Sequence, residues 1–167
     1  MSETIDKMWF VVVRVALTSA RNEIKYCSMY TRKNMSGKVK TSKMRVIIAD
    51  DSSLIRNRIK DLINNLNNVE MVGEAKSGLE ALQLIWDKKP DLVILDIRMP
   101  EMNGIEALSK IREIGLRTKV CMLTNYSYKQ YKERCLAEGA DYFFDKNHDI
   151  QQMLDIISKL ANNQKGA

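Results

Sequence analysis

Two kinds of segment alternate along the chain from residue 44 onward. Short, continuous apolar runs have the length and composition of buried β-strands. They lie at 46–49, 69–72, 92–95, 120–123 and 142–144. Between these runs, apolar side chains recur at helical spacing, which predicts amphipathic helices. The pattern therefore predicts a regular succession of strands and helices.

Four of the predicted helices have a clear apolar stripe, and another is weak. The stripes are Ile55, Ile59, Leu62, Ile63 and Leu66; Leu79, Leu82, Ile85 and Trp86; Ile105, Leu108 and Ile111; and Ile150, Met153, Leu154 and Ile157. The helix within 127–138 has the poorest apolar face, because its aromatic residues are scattered among charged ones.

Local signals mark several helix ends. Ser77 and Glu80 have the spacing of a capping box, and either Asp51 or Ser52 can serve as the N-cap of the first helix. Gly115 and Gly139 lie where the third and fourth helices should stop. These signals support the helix boundaries that the apolar stripes predict.

Strand–helix repeats of this kind predict an α/β fold with a doubly wound, five-stranded parallel sheet. The first, third and fourth apolar runs are continuous and lack alternating polar positions. This is expected of strands that are buried on both faces. In such sheets ligands bind beyond the carboxyl ends of the strands. The residues that follow each apolar run are therefore the ones to inspect.

Composition adds a basic N-terminal extension to this picture. The chain carries a net charge of +6, and residues 1–43 contain nine Lys or Arg against three acids. Residues 44–167 contain 18 basic and 18 acidic residues, so the predicted domain is electrically balanced. A basic surface for nucleic acid is therefore not predicted on the domain.

Residues 1–43 are predicted to be loosely attached or disordered, and their polar, basic stretch 31–43 to be a linker. The apolar run 8–17 is too short to span a membrane, and Arg14 interrupts it. It is compatible with an atypical signal peptide, with a strand packed on the domain, or with an upstream artefact before a natural start at Met44. These alternatives stay open.

The cysteines exclude two classes of site. Cys27, Cys121 and Cys135 are scattered, odd in number and without C-x-x-C spacing. Neither a disulfide framework nor a zinc site is predicted. A reducing, cytoplasmic setting is the expectation.

Polar residues follow four of the predicted strands. Asp50 and Asp51 follow the first, Asp96 the third, Thr124 the fourth, and Lys146 comes shortly after the fifth. Each alone has an ordinary structural explanation, such as capping the next helix. Together, closely spaced carboxylates would repel one another unless a hard divalent cation bound their oxygens. The sequence therefore predicts a Mg²⁺ site at this edge of the sheet.

Four segments carry a family resemblance. IIADDSS, PDLVILDIRMPEMNG, CMLTNYS and GADYFFDK occur in the order and spacing of the two-component receiver domain, the phosphoacceptor module of response regulators. Residues from Met44 to about Leu160 resemble this family. The resemblance implies the flavodoxin-like strand order 2-1-3-4-5.

The resemblance also implies roles for the site residues. Asp96 corresponds to the carboxylate that accepts a phosphoryl group from the phosphohistidine of a sensor histidine kinase or a histidine phosphotransfer protein. Asp50, Asp51, Asp96 and the backbone carbonyl of Arg98 correspond to the Mg²⁺ ligands. Lys146 would neutralise charge on the transferred group, which suits in-line phosphoryl transfer.

Two further residues correspond to the family's switch. Thr124 would donate its hydroxyl to a phosphoryl oxygen after transfer. Phe143 corresponds to the aromatic residue whose orientation follows that movement, although the neighbouring Tyr142 is easily confused with it. Phe143 has an equally good explanation as a core residue. Such a change would convert a local charge event into a new protein-binding surface.

The chain departs from the common pattern at three places. Asn125 replaces the usual small residue after the threonine, and Asn147 replaces the usual proline after the lysine, so that no cis peptide is expected there. Tyr126 lies at a variable position and is predicted to shield an aspartyl phosphate from water.

His148, the lone histidine, is expected to face solvent. Tyr126, Tyr128 and Tyr131 are either half-buried or a partner surface.

The function predicted is that of a single-domain response regulator, not an enzyme, which acts on a downstream protein as a monomer or a phosphorylation-dependent dimer. No nucleic acid or membrane contact is expected. Alternatives are a fragment of a longer DNA-binding regulator and a pseudo-receiver that needs no phosphorylation. An aspartyl-nucleophile phosphatase would need a second acid where Arg98 stands. Nucleotide binding is disfavoured, because no glycine-rich phosphate loop follows the first strand.

Overall fold

The computed structural model of the protein describes residues 43–163. The predictions for the N-terminal extension, including its apolar run 8–17, fall outside the described residues apart from Lys43. No helix in the described part of the chain is both long and apolar enough to cross a membrane.

Within residues 43–163, five strands and five helices follow one another in regular alternation. They are β1 Met44–Ala49, α1 Ser53–Asn64, β2 Val69–Ala75, α2 Gly78–Lys88, β3 Leu92–Leu95, α3 Gly104–Glu113, β4 Lys119–Thr124, α4 Lys129–Ala137, β5 Tyr142–Asp145 and α5 Ile150–Asn163. All strand pairs are parallel, and the order across the sheet is β2-β1-β3-β4-β5. The predicted fold and strand order are confirmed.

The sheet is covered on both faces, which explains why the apolar runs 46–49 and 92–95 of its central strands β1 and β3 lack polar positions. Alternate residues of β1 and β3 enter opposite layers of the core. Val46 and Ile94 pack in the layer that includes residues of α1 and α5. Ile47 and Val93 pack in the layer that includes residues of α2, α3 and α4. A strand in this position must be apolar throughout, as the continuous runs predict.

The apolar stripe predicted for α2 is partly wrong. Leu79 is 39% exposed and Trp86 is 37% exposed, whereas Ala81 and Ile85 are fully buried. The small residues Gly78 and Ala81 form the inward face with Ile85, so the two larger side chains lie toward its margin. The Lys89 ammonium lies over the Trp86 ring, 4.6 Å from the ring centroid.

The helix caps also differ in part from the prediction. Ser77 caps α2 by accepting from the Glu80 amide, but the Glu80 carboxylate accepts from the Lys76 amide and so does not complete the box. A complete capping box occurs instead at α3, between Asn103 and Glu106. Of the two candidates for the α1 cap, Ser52 is the residue used.

Candidate functional site

The carboxyl ends of the strands bring the predicted site residues together. Asp50 follows β1, Asp96 follows β3, Thr124 ends β4 and Lys146 follows β5. Backbone bonds hold the strand ends in line: the Asp96 amide donates to the Ala49 carbonyl, and the Lys146 amide donates to the Thr124 carbonyl. Sequence positions almost one hundred residues apart, 50 and 146, therefore share one edge of the sheet.

Three carboxylates form a cluster at this edge. Asp50, Asp51 and Asp96 each offer one oxygen, and these oxygens lie within 4.8 Å of one another. Asp50 and Asp96 are buried, whereas Asp51 is exposed, so the cluster opens to solvent on one side. An all-oxygen set of this kind suits a hard divalent cation that keeps several of its waters. The donor chemistry and the spacing therefore fit Mg²⁺.

The Lys146 ammonium lies between two of these carboxylates. Its Nζ is 2.6 Å from Asp50 Oδ2 and 2.9 Å from Asp96 Oδ2. The lysine is only 7% exposed, so both ion pairs are shielded from water. A buried charge persists only when it is paired and hydrogen-bonded. Lys146 therefore compensates the charge of both buried acids at once.

Burial and ion pairing have opposite effects on the pKa values of Asp50 and Lys146. Burial raises the pKa of Asp50 above its usual value, and outweighs the lowering effects of Lys146 and of the Ser52 amide. For Lys146, burial alone would lower the pKa, but the hydrogen bonds to Asp50 and Asp96 leave the pKa raised. Lys146 is therefore cationic at neutral pH.

Thr124 bonds to the loop that precedes α4, and Phe143 packs in the core layer that includes a residue of α4. Thr124 is fully buried, and its Oγ1 accepts from the Tyr126 amide at 3.1 Å. Phe143 is half-buried against the core layer that also contacts Tyr126 and Tyr131. Its neighbour Tyr142 belongs to the opposite layer. Of the two aromatic candidates, Phe143 is thus the one that shares a layer with the loop after Thr124.

The side chain of Arg98 makes a contact that sequence analysis missed. Its guanidinium lies 4.3 Å from the centroid of the Tyr126 ring, across the two loops that follow β3 and β4. The family resemblance implied a role only for the backbone carbonyl of Arg98. Cation–π pairs between distant loops leave no spacing signal in a sequence, because they depend on how the loops meet.

Two more residues support the site without having been singled out. Arg56 of α1 donates to the backbone carbonyl of Asp50 at 2.8 Å. Gly104 begins α3 directly against the carbonyl of Asp96. The glycine stands in the PEMNG segment that carries the family resemblance, so a motif signal for it existed. Arg56 had none, because a single arginine on a helix looks like a solvated charge.

The remaining sequence candidates lie outside the cluster. His148 is exposed, as predicted, and its Nδ1 lies 3.3 Å from Asp145 Oδ1. No cis peptide occurs in the described residues, and the Lys146–Asn147 bond is among them.

Burial raises the pKa of the Cys135 thiol to about 11 and also raises that of Cys121. Neither thiol is available as a nucleophile at neutral pH.

Comparison with known proteins identifies the family. Residues 46–158 match the response regulator receiver domain, and the chain therefore belongs to that family. The chemotaxis protein CheY of Bacillus subtilis is 34% identical over 118 residues, which cover 71% of this chain and 98% of that protein. The response regulator domain of Thermotoga maritima CheB is 31% identical with a TM-score of 0.65, and the match covers 75% of this chain and 98% of that domain.

Other relatives are longer than the matched region. The uncharacterized transcriptional regulatory protein YhcZ of Bacillus subtilis is 36% identical over 111 residues, which are 66% of this chain and 52% of that protein. The chain thus spans about half the length of several curated relatives it matches. The family resemblance predicted from the sequence is confirmed.

Proposed function

We propose that the protein is a phosphorylation-switched signalling module in which Asp96 accepts a phosphoryl group from a histidine kinase or a histidine phosphotransfer protein. The observation that carries the proposal is the buried Lys146 ammonium, which bridges Asp50 and Asp96 within the carboxylate cluster. A lysine and three acids on one accessible edge can bind a phosphoryl group and a divalent cation together. Membership of the receiver family supports the same roles.

Asp50, Asp51, Asp96 and the Arg98 carbonyl would hold Mg²⁺. When bound, the ion would neutralise phosphoryl oxygens and so favour attack by an anionic carboxylate. Asp96 would attack phosphorus, the P–N bond of the donor would break, and its electron pair would return to the imidazole nitrogen, which takes up a proton. Lys146 would orient the transferred group and stabilise its charge.

Thr124 and Phe143 would turn this event into a change of surface. The Thr124 hydroxyl now accepts from the Tyr126 amide, so its own proton is free to bond a phosphoryl oxygen on Asp96. Moving Thr124 would move the loop that carries Tyr126. Phe143 packs in the same layer and would respond to it.

The form of the output is part of the proposal. The match to nearly all of CheY supports a single-domain regulator that acts through a downstream protein, as a monomer or a phosphorylation-dependent dimer. The match to about half of YhcZ supports the second candidate, the receiver part of a longer, DNA-binding regulator. The scattered cysteines support a cytoplasmic location. In either form the receiver domain itself is not proposed to bind nucleic acid or turn over a substrate.

Dependence on Mg²⁺ is the first test. A small phosphodonor with Mg²⁺ should add one acid-labile phosphoryl group to the wild-type protein, because the cluster must be neutralised before an anionic donor can approach. With the ion chelated, labelling should fall to background. The measurement is intact-protein mass before and after acid treatment. Equal labelling with and without chelator would contradict the metal site.

Tyr126 should set the lifetime of the phosphorylated state. Its ring is half-buried and stacked under Arg98 beside the site, where it would hinder the approach of water. We expect Tyr126→Ala to lose phosphate a few-fold faster, since the blocking ring is gone, while still accepting the group. Tyr128→Ala is the matched control, because Tyr128 is 66% exposed. Equal decay rates in the wild type and Tyr126→Ala would refute this role.

A further inference from the structure

Every polar atom of Asp50 has a partner. The backbone amide donates to the Ala75 carbonyl, Oδ1 accepts from the Ser52 amide, and Oδ2 accepts from Lys146. The remaining group is the backbone carbonyl, and it accepts from the guanidinium of Arg56 at 2.8 Å. These four contacts therefore fix the position of Asp50 and the direction in which the backbone continues to Asp51.

Arg56 is bound to this turn in two ways. Its side chain holds the Asp50 carbonyl, while its backbone amide donates to the Ser52 carbonyl at 3.0 Å. Ser52 in turn caps α1. The first turn of α1 and the residues that carry the carboxylates are thus one connected unit. A displacement of Arg56 would be transmitted directly to Asp50.

Glu74 of β2 forms an ion pair with Arg56. Its Oε2 lies 3.7 Å from Arg56 Nε, and its other oxygen contacts the Lys60 ammonium. Glu74 is paired in register with Ile48 of β1, so the carboxylate stands on a rigid element. Partly exposed ion pairs of this kind add little stability. The ion pair bears on the orientation of Arg56, because the planar guanidinium hydrogen-bonds the Asp50 carbonyl while it stays within ion-pair distance of Glu74.

We propose that Arg56 is a positioning residue for the divalent-cation site, a role that rests on the proposed function. It holds the Asp50–Asp51 turn so that both carboxylates face the cluster without reorganising when an ion binds. Charge alone predicts the opposite effect. A cation near the cluster repels Mg²⁺, so its removal would strengthen binding if Arg56 acted only through its charge. The sign of the change separates the two explanations.

The test is the Mg²⁺ dissociation constant, measured by calorimetry on the full chain. Arg56→Gln should weaken binding about tenfold, the lower end of what partners behind metal ligands contribute. The dissociation constant of Arg56→Lys should lie between those of the wild type and Arg56→Gln. Lysine keeps the positive charge but lacks the planar guanidinium that contacts both the Asp50 carbonyl and Glu74. Arg58→Gln is the matched control, since Arg58 is exposed on the same helix and has no ion pair within residues 43–163.

A second readout separates positioning from a general loss of structure. At saturating Mg²⁺ the rate of labelling by a small phosphodonor should return close to that of the wild type in both Arg56 variants, with only the half-saturating ion concentration raised. Unchanged or tighter Mg²⁺ binding by Arg56→Gln would overturn the proposal. If that variant does not fold, Arg56→Lys decides, and a dissociation constant equal to that of the wild type overturns it. Absence of Mg²⁺ binding by the wild type would instead overturn the proposed metal site itself.

Discussion

Asp96→Asn is expected to take up no phosphoryl group under conditions that label the wild-type protein fully. The amide has nearly the shape of the carboxylate, but it is neutral and a poor nucleophile toward phosphorus. Lys146 keeps one buried partner in this variant, because its ion pair with Asp50 remains. The loss should therefore be one of chemistry and not of folding.

Labelling and thermal melting measured on the same samples decide this point. Asp87→Asn is the matched control, because Asp87 is an exposed aspartate on the outer side of α2. It should label like the wild type. Equal labelling of Asp96→Asn and the wild type would show that another group accepts the phosphoryl group. Labelling that survives only in part would show that a second group also accepts the phosphoryl group.

Of the substitutions considered, Gly104→Ala should cause the largest loss of stability. A Cβ at this position would lie 1.9 Å from the carbonyl oxygen of Asp96 and 2.8 Å from its carbonyl carbon. Both obstacles are backbone atoms, so no side-chain rotation relieves the overlap. The Gly104 amide also donates to the Ile97 carbonyl, which fixes the approach of α3 to the end of β3. We expect a loss of about 3 kcal/mol in the free energy of unfolding.

The same substitution should also weaken the site, since any relief must move the backbone of Asp96. Urea unfolding followed by circular dichroism gives the free energy, and Mg²⁺-dependent labelling reports on the site. Gly115→Ala is the control, because Gly115 has a positive φ of 71° and nothing within 4 Å of its added Cβ. It should lose only about 1 kcal/mol from backbone strain. A loss in Gly104→Ala no greater than in Gly115→Ala would contradict the steric explanation.

The sequence predicted the strands better than it predicted the helix faces. Residues 46–49 of β1 and 92–95 of β3 are buried throughout, so a continuous apolar run marks each of these strands. The buried face of helix α2 was harder to predict, because it includes the small residues Gly78 and Ala81. Small residues allow close packing against the sheet but carry little hydrophobic signal. The pattern of large side chains therefore assigned Leu79 and Trp86 to the core, where they do not belong.

Most of the candidate site followed from sequence and topology together. In a parallel sheet all strands end at one edge, so residues that follow them converge whatever their separation along the chain. Asp50, Asp96 and Lys146 were predicted on this basis, and they meet with Lys146 between the two acids. Their roles in phosphoryl transfer remain predictions.

The sequence by itself thus determined the alternation of elements, the parallel sheet and the edge at which the acids gather, because each depends on periodicity and on positions relative to strands. Only the tertiary structure decided which groups touch. The Arg56 bond to Asp50, the Arg98 stack on Tyr126 and the contact of Gly104 with Asp96 all join elements or loops through directional contacts of a few ångströms. Such contacts depend on rotamers and loop paths, which are set when the surrounding core packs and not by local residue patterns.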